Sequence, residues 1–211
     1  NGRVKVLENI LMNNKSELVG ELSGGFTYSH ESFGEVFYSF TLTVPRLSES
    51  VDDIVVTAPE RLIDRELWKE GDKLYVSGQF RSYNNYSGVG SRLVLTLFAK
   101  AVYPAPLDKE YVNEAVLNGY ICKTPTYRTT PFGREITDIL LAVNRSHNKS
   151  DYIPCIAWGR NARLARDFSV GDNVIITGRM QSRKYQKKLE DETVITKTAY
   201  EISVSKIELV L

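Results

Sequence analysis

The chain has little of what catalysis, metal binding or secretion would require. Its 211 residues include only two cysteines and two histidines. Cys122 and Cys155 stand singly inside apolar runs, form no CxxC pair, and have no histidine spaced to complete a zinc site. Reduced, buried thiols in a cytosolic protein are the expectation. His30 and His147 fall in loops without a carboxylate–nucleophile set beside them, and no Gly-rich loop followed by Lys-Ser/Thr occurs. Neither an enzyme nor a cofactor nor a metal is therefore expected. The acidic pair Asp52-Asp53 reads as a solvated strand end. No run approaches the roughly 20 apolar residues of a membrane span. No secretory signal is visible, although the chain begins at Asn1 rather than Met, and a cytoplasmic protein is expected. Charge of one sign is also missing, since 27 Lys and Arg face 26 Asp and Glu. The halves differ in sign: residues 1–105 carry 11 basic against 13 acidic residues, and 106–211 carry 16 against 13. Any polyanion contact is expected mainly in the second half.

What the chain does have is aromatic and β-branched runs interleaved with Arg and Lys. The stretch 151–185 is the clearest: Asp151-Tyr-Ile-Pro-Cys-Ile-Ala-Trp-Gly-Arg160, a short helical pattern, then Val170-Gly-Asp-Asn-Val-Ile-Ile-Thr-Gly-Arg-Met-Gln-Ser-Arg-Lys-Tyr185. Rings on a strand beside cations suit a surface that stacks bases and tracks phosphates; an ordinary half-buried hairpin with a basic face has the same pattern.

Taken in order, Glu17–Leu22 reads as a strand, and Gly24 to Ser32 as a loop. Val36–Val44 and Asp53–Thr57 follow as strands. Pro59 opens a short helix whose apolar positions are Leu62, Ile63, Leu67 and Trp68. Lys73–Phe80 and Leu93–Ala99 complete a first set. After Pro104-Ala-Pro106 the order restarts: strand Gly119–Cys122, loop Thr124–Thr130, a strand ending at Arg145, strand Asp151–Trp158, helix Asn161–Phe168, and strands Val174–Tyr185 and Thr193–Leu209. The two passes keep a nearly constant offset. Gly20 and Gly119, Phe33 and Phe132, Val44 and Val143, and Arg46 and Arg145 are 99 apart. Gly71 and Gly171, Asp72 and Asp172, Gly78 and Gly178, and Ser82 and Ser182 are 100 apart. The expectation is a mainly β chain of two tandem five-stranded barrels, each with one short helix between strands 3 and 4. The boundaries are 1–103, a linker at 104–113, and 114–211. That order matches the oligonucleotide/oligosaccharide-binding (OB) fold. Gly78 and Gly178, inside apolar strands, fall where a small barrel bends.

The second half resembles the bacterial single-stranded DNA-binding protein family through Pro131-Phe-Gly133, Leu141-Ala-Val-Asn-Arg145, and the two stretches quoted above. The first half looks like a diverged copy: Gly71-Asp-Lys-Leu-Tyr-Val-Ser-Gly-Gln-Phe-Arg-Ser-Tyr83 matches, but the third strand ends Val56-Thr-Ala-Pro59 without an aromatic. The resemblance implies non-catalytic binding of single-stranded DNA in replication, recombination or repair. It implies stacking at Tyr152, Trp158 and Tyr185, a loop position at His147, and basic contacts at Arg160, Arg183 and Lys184. Arg145 and Arg179, with Arg81 and Tyr83 of the first half, complete the candidate set. Family members are commonly homotetramers of one-barrel chains, so two barrels per chain imply a homodimer. Replication proteins are a further partner the resemblance implies, although the chain's last residues, Lys206–Leu211, read as a strand where the family carries its partner-recruiting acidic tail. The related primosomal replication protein B family, a protein-interaction scaffold, and a single-stranded RNA binder are alternative readings.

Overall fold

The computed structural model describes residues 13–85, 92–146, 148–189 and 191–210, and the structural statements below concern those residues. Eleven strands run β1 (Asn14–Ser32), β2 (Glu35–Pro45), β3 (Val51–Pro59), β4 (Lys73–Asn85), β5 (Arg92–Pro104), β6 (Val112–Ile121), β7 (Thr126–Thr129), β8 (Glu135–Arg145), β9 (Lys149–Trp158), β10 (Asn173–Lys188) and β11 (Val194–Leu209). One α-helix, α1, spans Gly159–Arg166.

The first five strands close on themselves. β1 pairs with β4 through Ser16–Glu21 and with β2 through Glu21–Ser32. β2 pairs with β3, β3 runs parallel to β5, and β5 returns to β4. The second set repeats the circuit: β6 with β10 and β8, β8 with β9, β9 parallel to β11, and β11 with β10. Two OB-type barrels result, as the repeat predicts. Each is filled by the inward residues of its strands, among them Leu18, Leu42, Ile54, Leu74, Phe80 and Leu97 in one and Leu117, Leu141, Ile153, Ile176, Met180 and Ile202 in the other, all nearly inaccessible. Each such leucine or isoleucine contributes about 1.5–3 kcal/mol relative to exposure.

The tight coiling rests on two glycines. Strand register shifts by one residue between Ser77 and Gly78 and again between Thr177 and Gly178. A Cβ at Gly78 would sit 2.1 Å from the Phe98 carbonyl oxygen, and one at Gly178 would sit 2.2 Å from that of Ser203. No side chain fits either bulge. The turns before β4 and β10 also repeat atom for atom. Asp72 and Asp172 each accept a backbone N–H through Oδ2, from Lys69 and Ser169, both at 2.8 Å.

Three expectations need correction. The stretch from Gly24 to Ser32 is not a loop: β1 continues through it, with irregular register between Ser23 and Thr27. The stretch Thr124–Thr130 contains β7, an extra strand hydrogen-bonded to β8, so the second half has six strands. The helix opened by Pro59 is only a 3-10 turn, Glu60–Leu62. Asp64 Oδ1 accepts the N–H groups of Glu66 and Leu67 at 3.2 and 2.9 Å, a local alternative that competes with helical bonding. Leu62, Ile63 and Trp68 still pack on the core, so their spacing signalled burial rather than helix. In α1, Ala162 and Ala165 are buried, but Leu164 faces solvent. β5 ends at Pro104 and β6 begins at Val112, which leaves 105–111 between the barrels' strands.

The barrels are spliced through their first strands. β1 and β6 pair antiparallel from Asn14 opposite Leu117 to Val19 opposite Val112, giving one continuous eleven-stranded sheet. Two asparagines 99 residues apart tie each of these first strands to its own barrel in the same way. The Asn14 amide donates to the Phe80 carbonyl at 2.6 Å and accepts the Phe80 N–H at 2.9 Å. Asn113 does the same with Met180, at 2.7 and 2.9 Å.

Candidate nucleic-acid interface

A strand points alternate side chains to opposite faces, and β9 uses this to separate structure from surface. Asp151 is buried and Tyr152, the next residue, is 49% exposed. Trp158 closes the strand, half-buried, with Ile136 of β8 as its register partner. Arg160 is exposed in the first turn of α1. Beyond the barrel, β10 carries Arg183 and Lys184, both exposed, and Arg183 Nε lies 3.2 Å from Glu201 Oε1. The backbone of Tyr185 pairs with Lys197 in the same hairpin. The Tyr185 side chain and all of His147 lie outside the described residues.

The junction between the barrels is built on two buried carboxylates, Asp52 of β3 and Asp151 of β9, 99 residues apart in sequence. Asp52 is 1% exposed, not a solvated strand end. Its oxygens accept from Arg46 at 2.6 and 2.9 Å in its own half. From the other half they accept the Ser182 N–H at 3.0 Å and Arg179 Nη1 at 2.8 Å. Asp151 repeats the pattern: it accepts the Ser82 N–H at 3.0 Å, and Arg145 Nε lies 3.6 Å away. The hydroxyls answer in kind. Asp53 donates its N–H to Ser182 Oγ at 3.2 Å, and Tyr152 donates its N–H to Ser82 Oγ at 2.7 Å. Arg179, expected as a nucleic-acid contact, is thus engaged in an ion pair across the junction. Charged hydrogen bonds of this kind are the stronger sort, which is why a half-buried guanidinium stays on its carboxylate.

Arg81, Tyr83 and Arg145 do come together. With Ser29, His30, Thr57, Ser82, Thr96 and Phe98 they line a groove of about 460 Å³ at the junction. The Arg81 guanidinium lies over the Phe98 ring at 4.0 Å, and the Nε atoms of Arg81 and Arg145 are buried without a hydrogen-bond partner. Burial, then the neighbouring Arg145, pull the Arg81 guanidinium below its ordinary value, while Asp151 opposes them. Tyr83 is 54% exposed at the rim. Sequence reading missed His30, Phe37 and Phe98. His30 stacks on Phe37 at 4.7 Å with 5° between the planes, and Phe37 leans on Phe98 at 5.5 Å. A signal for Phe37 existed. It is the register partner of Pro59, while Ile136, 99 residues on, is the partner of Trp158. The aromatic absent from the first half's third strand stands instead on the strand beside it.

Fold and face together define a protein of two OB-type barrels that carries exposed rings and guanidinium groups along its strands and across its junction. Residues 112–210 match the model of the Single-strand binding protein family. Single-stranded DNA-binding protein 3 of Streptococcus agalactiae serotype V (strain ATCC BAA-611 / 2603 V/R) is 32% identical over 97 residues, covering 43% of this chain and 70% of that protein. The chain belongs to this family. Single-stranded DNA-binding protein 1 of Staphylococcus aureus (strain COL) is 36% identical over 84 residues, which are 36% of this chain and 50% of that protein, so the chain spans about half the length of that relative. The wild-type single-stranded DNA binding protein from Thermus aquaticus has the same fold over both halves, with a TM-score of 0.75 at 17% identity and coverage of 94% of this chain and 93% of that one. No helix among the described residues is long and apolar enough to cross a membrane.

Proposed function

We propose that this chain binds single-stranded DNA without catalysis, as a cytoplasmic component of replication, recombination or repair. Bases stack on Tyr152, Trp158, Tyr83 and Tyr185, while Arg81, Arg145, Arg160 and Lys184 hold phosphates. The observation that carries this reading is the meeting of β4 and β9 through Ser82, which brings two exposed tyrosines and two arginines from separate halves to one junction. Base–aromatic stacking contributes on the order of 1–3 kcal/mol per base and tolerates any sequence, so affinity should be largely sequence-independent. Phosphate contacts release counterions, so affinity should fall as salt rises. Two chains would bring four barrels together as a homodimer, which sedimentation equilibrium measures directly. The test of binding is anisotropy titration of labelled oligo-dT at two salt concentrations, with oligo-rU alongside to set the sugar preference. Absence of binding at the lower salt refutes the reading.

A further inference from the structure

The two halves offer unequal grooves. At the first, Arg81 of β4 has Thr96 of β5 as its register partner. At the second, the equivalent pair is Gln181 of β10 and Glu201 of β11. Glu201 is 7% exposed; its Oε1 accepts Gln181 Nε2 at 2.7 Å and lies 3.2 Å from Arg183 Nε. An acidic side chain therefore already occupies the place where an incoming phosphate would meet cations. Thr96 has no charge and turns its hydroxyl to Thr57 Oγ1 at 2.9 Å and to the Val55 carbonyl at 3.1 Å. Arg46 and Arg179 are both hydrogen-bonded to Asp52 at the second junction, whereas at the first Arg145 reaches Asp151 only at 3.6 Å, Arg81 makes one long bond to Gln79 Oε1 at 3.4 Å, and the buried Arg81 Nε has no hydrogen-bond partner.

We infer that the first-half groove is a subsite for one nucleotide of a bound single strand, and that the corresponding position in the second half is closed to phosphate by Glu201. The phosphate lies between Arg81 and Arg145, relieving the repulsion between them. The base lies on His30, an exposed ring already held flat by Phe37. The junction on the β4 side thus supplies the more open phosphate site, with one arginine from each half, because local pairing rather than the net charge of either half decides which cations are available. This rests on the single-strand-binding reading above.

The test is Arg81→Gln, which places in the first half the residue that the second half already carries there. Affinity for labelled oligo-dT is expected to fall about tenfold. The slope of log affinity against log salt is expected to become shallower by about 0.7, the share of one single-strand phosphate. A purely structural role would not move that slope. Glu201→Thr is the reverse exchange and is expected to steepen the slope by a similar amount. An unchanged slope in Arg81→Gln, or in a Glu201→Thr variant that keeps the wild-type melting temperature, overturns the inference. Failure of the unaltered chain to bind oligo-dT refutes the binding reading itself, whereas unaltered binding with an unaffected Arg81→Gln refutes only the subsite.

Discussion

Replacing Asp52 by alanine should separate the two barrels energetically. The carboxylate is almost wholly buried and accepts four hydrogen bonds, two from Arg46, one from Arg179 and one from the Ser182 N–H. Alanine leaves that N–H without its acceptor, and leaves Arg46 and Arg179 only their longer bonds to the Ser182 carbonyl at 3.2 Å and Gln181 Oε1 at 3.3 Å. Removing one partner of a buried ion pair costs about 3–5 kcal/mol. Arg46 and Arg179 keep 25% and 36% of their side chains accessible, so water recovers part of this, and about 2–3 kcal/mol is the expected loss. For a chain of this size that lowers the melting temperature by roughly 4–12 °C. The decisive measurement is a double-mutant cycle in urea between Asp52→Ala and Arg179→Ala, which sit on different barrels. A coupling of about 1–2 kcal/mol is expected, since groups in contact do not behave additively. Additive effects, or a loss under about 0.5 kcal/mol for Asp52→Ala alone, would show that the carboxylate does not tie the barrels together.

Tyr152→Ala and Trp158→Ala should each weaken oligo-dT binding several-fold in the same titration, whereas Arg61→Ala, whose partner is the exposed Glu35, should leave it unchanged. Gly178→Ala should cost on the order of 3 kcal/mol or prevent folding, because its Cβ would collide with the Ser203 carbonyl; a wild-type urea midpoint would disprove the bulge. Burial holds the Asp151 carboxyl above the usual carboxylate range, more than the Ser82 N–H, Arg145 and Arg81 pull it down. The folded chain therefore keeps this proton at a pH where the unfolded chain has lost it. The group's contribution to stability is complete below the ordinary aspartate range and declines as pH rises through the raised value. Melting curves across that window should show this decline in the unaltered chain and a flatter profile in Asp151→Asn; parallel profiles would refute it.

The barrel order was legible because its signals are local: glycines at bulges, Gly-Asp turns before strands, and apolar runs repeating at 99 and 100 residues. The continuation of β1 through Gly24 and Gly25 was not, since two glycines and a polar run look like a loop until β2 pairs on either side of them, with Ser23 and again with Thr27. The 3-10 turn after Pro59 was hidden by helically spaced apolar residues that pack on the core in a different backbone state. Asp52 was misread for a physical reason. An aspartate at a strand start belongs in water unless a cation waits for it, and here one of its cations comes from residue 179. Tyr152, Arg160 and Lys184 could be placed on the surface from strand and helix position alone. The file of His30, Phe37 and Phe98 could not, because three separate strands contribute one ring each.

The β1–β6 splice has a consequence for how such a chain can change. Two identical subunits meeting about a twofold axis must present every substitution twice, once on each side. Joined in a single polypeptide, the sides are released from being copies, and an alteration can be tried on one while the other keeps its original chemistry. The threonine on one side and the glutamate on the other, at matching places, are a difference that no symmetric pair of identical subunits can encode.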